Sequence, residues 1–224
     1  MKHPLKLVDF QMERLEKGFR KLGLNYDEEV IFKFRLYIEL LLSYNRRAAL
    51  FSKGDEPIVA EKHILPSVAL ARLVSGETIK NWLDIGSGAG FPALPIKLFL
   101  KHLPLIMVES NRKKALFLSR AIRELGLDSC EAKWMRAEDI PEDTKFDLIT
   151  IRAVEKPQNI FLTAQRILDN GGRFIWIRGR HEKEELELKS EGIEKLGLKI
   201  IDAVKLPGFY PCPRLYAILF SRFC

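Results

Sequence analysis

The 224-residue sequence predicts an α/β fold: a mostly parallel, seven-stranded sheet with helices on its faces, preceded by an N-terminal helical extension. Three observations predict it. Residues 1–75 carry apolar side chains at helical spacing and show no strand pattern. After Ser75-Gly76, short apolar runs alternate with amphipathic segments, giving five βα units and two closing strands. One strand-to-helix join, Gly86-Ser87-Gly88-Ala89-Gly90, has glycine at alternate positions, as a turn must where the backbone lies against a ligand. The chain thus divides into a helical region, 1–75, continuous with a sheet-bearing domain, 76–224.

In order, Val8, Met12, Leu15, Phe19 and Leu22 form the apolar face of a helix over 6–24. A second helix covers 27–51, with Val30, Phe34, Tyr37, Leu41 and Tyr44 on one side. Its start, Asp27-Glu28-Glu29, puts negative charge where the helix dipole favours it. Residues 53–57 read as a loop from their glycine and proline, and 58–74 return to helical spacing, bent or interrupted at Pro66. Strand one is 81–85; the helix after its glycine turn carries Ile96, Phe99, Leu100 and Leu103. Strand two, 105–109, is the uninterrupted apolar run of a strand buried on both faces. Asn111 caps a helix with Ala115, Leu118, Ile122 and Leu125 inward and Gly126 closing it. Strands three and four are 130–134 and 146–151; a helix over 157–168 and an Asn170-Gly171-Gly172 turn lead to strand five, 174–177. A charged helix over 182–196 precedes the closing strands, 198–204 and 215–220. Trp82 and Trp134, both within strands, are expected in the core.

Composition narrows the class. At 47% hydrophobic and 30% charged the chain reads as a soluble globular protein. Three cysteines (Cys130, Cys212, Cys224) without a Cys-x-x-Cys pair, and four scattered histidines, point to a reducing compartment and to neither a zinc site nor any other metal site. Residues 1–20 lack an apolar signal core, and no apolar run reaches membrane-spanning length, so a cytoplasmic protein without membrane association is expected. A net charge of +7 permits a polyanionic partner without proving one. The basic clusters are Arg46-Arg47, Arg112-Lys113-Lys114 with Arg120 and Arg123, and Arg173 with Arg178 and Arg180.

The glycine turn selects among ligands. A dinucleotide fingerprint needs glycine where Phe91 stands, and a phosphate-binding P-loop needs Gly-Lys followed by Ser or Thr. What remains, Asp84-x-Gly86-x-Gly88-x-Gly90, resembles the loop of methyltransferases that use S-adenosylmethionine; the alternative reading is a plain turn. Glu109, 23 residues after Gly86, stands at the end of strand two, where a nucleoside's ribose hydroxyls lie in such sheets. The alternative reading of Glu109 is a charge favoured at the start of the next helix. Strand ends give the remaining candidates: Gly86 to Phe91, Ala137, Glu138 and Arg152. After strand four the chain reads Ile151-Arg152-Ala153-Val154, not the Asp/Asn-Pro-Pro-aromatic element that holds an exocyclic amine. Arg152 also occupies the position of the Asp that would serve a ribose hydroxyl. Pyrimidine carbon methylation needs an activated cysteine, and Cys212, in Pro211-Cys212-Pro213, is expected to be structural and far from the end of strand four. Guanine N7, with a free in-plane lone pair, needs no general base, so no catalytic residue is expected and positioning suffices.

The stretch from Leu83 to Pro95, with its two prolines after the glycines, resembles the signature of the RsmG (GidB) family. Similar elements are Glu109-Ser110, Arg112-Lys113-Lys114, Phe117-Leu118, Arg136-Ala137-Glu138-Asp139, Phe146-Asp147, Ile151-Arg152-Ala153 and Arg178-Gly179, with Asn45 and His63-Ile64-Leu65-Pro66-Ser67 upstream. The sequence departs from the family pattern with Arg46-Arg47 in place of Leu-Thr, Pro66 in place of Asp, and Arg178 in place of Lys. The resemblance implies a class I S-adenosylmethionine-dependent methyltransferase fold (Rossmann-like). It further implies methyl transfer from S-adenosyl-L-methionine to N7 of a guanine in the 530 loop (position 527) of 16S rRNA, with the small ribosomal subunit as partner and a monomeric enzyme. By that likeness Gly86, Ser87, Gly88, Gly90, Phe91, Ala137, Glu138 and Arg152 contact the cofactor and Glu109 holds its ribose. Arg112, Lys113, Lys114, Arg152 and Arg178 are the expected RNA contacts. Asn45 and His63 either touch the substrate or close the helical region over the sheet by hydrogen bonds. Two other readings are a methyltransferase of this fold acting on a small molecule or protein, and a non-catalytic S-adenosylmethionine-sensing RNA-binding factor.

Overall fold

A computed structural model describes residues 4–75, 79–152, 157–179, 190–209, 211–212 and 215–222. Two long helices come first, α1 (Pro4–Leu22) and α2 (Glu28–Ala48). Asp27 caps α2, its carboxylate accepting the Val30 N–H at 2.8 Å. The segment read as a loop is a 3₁₀ turn, Lys53–Ile58, and the helix expected after it is broken into a π-turn, Ala60–Ile64, then α3 (Leu65–Ala69) and α4 (Ala71–Val74). Pro66 explains the break. It has no N–H to offer the Lys62 carbonyl, so the ladder cannot continue at α-helical spacing. The Leu65 N–H bonds Ala60 instead, five residues back.

The sheet contains β1 (Trp82–Ile85), β2 (Leu105–Glu109), β3 (Cys130–Trp134), β4 (Phe146–Arg152), β5 (Leu168–Gly179), β6 (Leu198–Lys205) and β7 (Leu215–Arg222). Their order is β3-β2-β1-β4-β5-β7-β6, parallel except for β7, which runs antiparallel to both neighbours. The chain builds outward from β1 through β2 to β3 and then returns to place β4 on the other side of β1. The switch point between β1 and β4 opens a crevice at their carboxyl ends, where such sheets bind ligands.

Helices α5 (Ala93–Phe99) and α6 (Arg112–Glu124) join the N-terminal helices in one apolar cluster, which holds Phe19, Phe34, Leu65, Leu94 and Phe117 with Trp82 of β1. Phe19 meets Phe99 edge-on at 4.9 Å, so the helical region and the sheet share a core. The opposite face carries a second cluster around α7 (Pro157–Ile167) and α8 (Ser190–Lys195), including Phe161, Ile167 and Ile193.

Two expectations are corrected. Trp134 is 61% exposed, whereas Trp82 is fully buried. Trp134 ends the edge strand β3, none of whose five residues is buried, and position within a strand does not reveal position within the sheet. The Asn170-Gly171-Gly172 turn lies inside β5, as a register irregularity opposite Phe146 to Leu148. Gly76, Ala153, Val154, Arg180 and the first part of the helix expected over 182–196 lie outside the described residues. Among the described residues no helix is long and apolar enough to cross a membrane.

Candidate functional site

Beyond Ile85 the chain folds back on β2, the Gly86 N–H bonding the Val108 carbonyl at 2.9 Å. Gly86 and Gly88 have φ of +67° and +56°, values that side chains rarely adopt. The space around them is open: a Cβ on Gly86 would meet nothing within 4 Å, and on Gly88 only the Gly86 carbonyl at 3.8 Å. Gly90, with φ of +92°, has a second reason to be glycine. A Cβ there would strike Leu94 at 2.5 Å, so its absence lets α5 pack against the turn. Glu109 ties the loop down, one carboxylate oxygen accepting the Gly88 N–H at 2.9 Å and the other the Asn111 N–H at 2.8 Å. Each oxygen keeps a lone pair, so Glu109 can hold the loop and still accept a pair of hydroxyls.

A cavity of about 720 Å³ opens over this loop, its other wall supplied by the helical region. Tyr37 of α2 donates to the Ala89 carbonyl at 2.7 Å, and the Phe91 ring stacks on His63 at 5.1 Å. Arg152, at the end of β4, crosses to the same wall. Its guanidinium donates to the carbonyls of Lys62 (2.9 Å) and His63 (3.1 Å), to Ser67 Oγ (3.3 Å) and to His63 Nδ1 (3.3 Å). The Lys62 carbonyl is the one that Pro66 leaves without a helical partner. A proline in the sequence thus creates the acceptor that anchors Arg152.

The bond from Arg152 fixes the His63 tautomer: Nδ1 accepts, so Nε2–H donates to Asp55 at 2.9 Å. Burial, and then the positive charge of Arg152, pull His63 down to about 4 despite Asp55, leaving the ring neutral near pH 7. Burial alone would raise the Asp55 carboxyl, but hydrogen bonds from Lys62 (2.7 Å) and His63 outweigh it and hold the group below its ordinary value. Burial lowers Arg152 to about 10, which still leaves it charged. Below the loop, Trp82 donates to Thr150 Oγ1 (3.0 Å), which donates to Asp84 Oδ1 (2.6 Å). Asp84 Oδ2 is buried without a partner among the described residues, and burial, with the nearby charge of Glu109, raises the carboxyl to about 7.

Of the residues singled out in the sequence, His63, Gly86, Ser87, Gly88, Phe91, Lys114, Arg152 and Arg178 line the cavity. Gly90, Glu109, Ala137, Glu138, Arg112 and Lys113 are outside its lining. Ala137 and Glu138 form a 3₁₀ turn one strand further out, where Arg166 holds the Glu138 carbonyl. Arg178 places its guanidinium 3.9 Å over Trp176. Asn45 is buried and bonds Glu56 and the Phe51 N–H, both at 3.0 Å, so Asn45 and His63 hold the helical wall closed. Tyr37, Asp55, Lys62 and Thr150 belong to the site but were not singled out as site residues, whereas Ser67 was quoted within the His63–Ser67 element without a role. Cys212 lies close enough to Glu61, Lys62, Asp55 and the Arg152 guanidinium for their charges to act on its thiol, which places it by the helical wall. Burial pushes its thiol up, which keeps it protonated and unreactive.

Comparison with known proteins adds an independent line. The chain matches GidB, described as rRNA small subunit methyltransferase G, over residues 31–207. It is 35% identical over 190 residues to Ribosomal RNA small subunit methyltransferase G of Geobacter sulfurreducens, covering 84% of this chain and 86% of that one. The protein of the same name from Dictyoglomus thermophilum is 33% identical over 220 residues, covering 88% and 91%. Among solved structures, ribosomal protein L11 methylase from Lactobacillus delbrueckii subsp. bulgaricus superposes with a TM-score of 0.56 at 15% identity, over 71% of this chain and 78% of its own. A SAM dependent methyltransferase from Aquifex aeolicus gives 0.55 at 15% identity, over 70% and 93%. At that identity the likeness concerns the fold.

Proposed function

The chain belongs to the GidB family, rRNA small subunit methyltransferase G, and on that premise we propose that it transfers a methyl group from S-adenosyl-L-methionine to N7 of a guanine in the 530 loop (position 527) of 16S rRNA in the small ribosomal subunit. The observation that carries the reading is the loop and acid together. Open space lies where side chains of Gly86 and Gly88 would project, and Glu109 beside it has lone pairs to spare for a vicinal diol. These residues fit the cofactor's ribose and methionine portions.

Bound there, the cofactor supplies a methyl on a sulfonium sulfur, and transfer breaks the C–S bond and makes the C–N bond with no proton leaving the base. The protein's task is to orient and to exclude water. Phe91, backed by His63, gives the cavity a flat apolar surface, and Arg152 keeps that wall closed. His63 is no general base, because both ring nitrogens already have partners. That arrangement suits a nucleophile whose lone pair is free. In the same reading the protein works as a cytoplasmic monomer, since one chain builds the whole site. The test is transfer of labelled methyl to small subunits lacking the mark, followed by mass spectrometry of digested RNA. Label recovered as 7-methylguanine at that position supports the reading, and label on a pyrimidine, a ribose or a protein refutes it.

A further inference from the structure

We propose that Trp134, with Arg112 against it, is a stacking platform for an unpaired base of the substrate RNA, next to the cofactor loop; the proposal rests on the functional reading above. Trp134 is 61% exposed, while Trp82 and Trp176 are 0% and 3% exposed. The exposed ring is held in place. Its indole N–H donates to the Ser110 carbonyl at 2.9 Å, and the Arg112 guanidinium lies 5.4 Å from its ring centroid. A ring already pinned loses little conformational freedom when something stacks on it. In the parallel register Trp134 is the direct neighbour of Glu109, the residue that ties the glycine loop, so the platform adjoins the site.

The surroundings identify the occupant. Arg112, Lys113 and Arg136 are exposed, Lys114 faces the cavity, and none of the four forms an ion pair among the described residues. The start of α6, capped by Asn111, adds the positive end of a helix dipole. An apolar protein partner would have to strip water from these cations without compensating them. A single RNA strand offers both complements, base faces for the indole and phosphates for the cations. A duplex does not, because its bases present edges and not faces.

The test uses the full chain, a fluorescently labelled single-stranded oligoribonucleotide, a duplex of the same length, and S-adenosyl-L-methionine. Trp134→Ala is expected to weaken single-strand binding about tenfold, with the salt dependence unchanged, while Trp134→Phe keeps most of the affinity. Duplex binding and cofactor affinity by calorimetry should stay at wild-type values. Arg112→Gln should instead flatten the dependence of log affinity on log salt by about 0.7. Unchanged single-strand affinity in Trp134→Ala overturns the platform. So does an equal loss on duplex, or a loss confined to the cofactor. If wild-type protein binds the strand through Trp134 but forms no 7-methylguanine, the functional reading fails and the platform stands. If it methylates normally and Trp134→Ala binds the strand like wild type, the platform fails alone.

Discussion

The helical wall of the cavity and its loop wall use polar groups in opposite ways. On the helical wall Arg152, His63, Asp55, Lys62 and Asn45 are bonded to one another or to nearby backbone. On the loop wall Gly86 and Gly88 face open space, and just outside the cavity's lining Glu109 has unused lone pairs and Arg112 and Lys113 form no ion pair among the described residues. Three pairs elsewhere on the helical region follow the first pattern: Lys17 with Glu13, Lys33 with Glu29 and Arg35 with Asp9. Polar groups satisfied within the chain give a site its shape, and groups left unsatisfied at its edge are available to ligands. Substitution on the first wall should therefore lower stability, and on the second lower binding at nearly constant stability.

The largest effect expected is on the loop wall. Gly88→Val should lower cofactor affinity at least about a hundredfold by calorimetry, with a stability loss of about 1–2 kcal/mol from the left-handed backbone. Undiminished affinity would remove the loop from the binding site. Next is Arg152→Ala on the helical wall, which leaves the Lys62 carbonyl without its donor and the His63 carbonyl with Ser67 Oγ alone. Urea titration should show a loss of about 3 kcal/mol. If stability held while cofactor or RNA binding fell, Arg152 would belong with the ligand-facing groups and the contrast would break there. A matched pair of charge reversals sharpens the contrast: Lys113→Glu should weaken RNA binding about tenfold at low salt, and Lys33→Glu should change it less than about twofold. Comparable losses in an RNA titration would show that the basic charge acts as a diffuse field.

The smallest net effect, in the wild type, is a pH dependence whose two parts oppose each other. Unfolded, His63 takes a proton near 6.5, but folded only near 4, so the unfolded state binds more protons between those values and stability falls as pH falls through that window. Asp84 runs the other way. Folded, it keeps its proton up to about 7 against 3.8 unfolded, so its contribution is complete below about 4 and lost as pH rises towards 7. The two offset each other in the wild type. Asp84→Asn should expose the histidine component as an extra loss, up to about 1.4 kcal/mol per pH unit, on acidification from 6.5 to 4. Urea midpoints at three pH values would show it, and parallel curves for variant and wild type would exclude this coupling.

The sequence by itself determined the elements and the cofactor-side chemistry. Strands and helices show through in apolar period, the Asn111 cap in one side chain, and the glycine turn with Glu109 in residues near one another along the chain. Only the tertiary structure decided which strand lies at the edge, and so turned Trp134 from an expected core residue into an exposed one. It alone joined Arg152 to Lys62 and His63 and brought Cys212 within reach of the charges of Arg152 and Lys62. Periodicity reports local backbone geometry, whereas burial at an edge and hydrogen bonds between residues some 90 apart in the chain depend on how the elements are ordered in space.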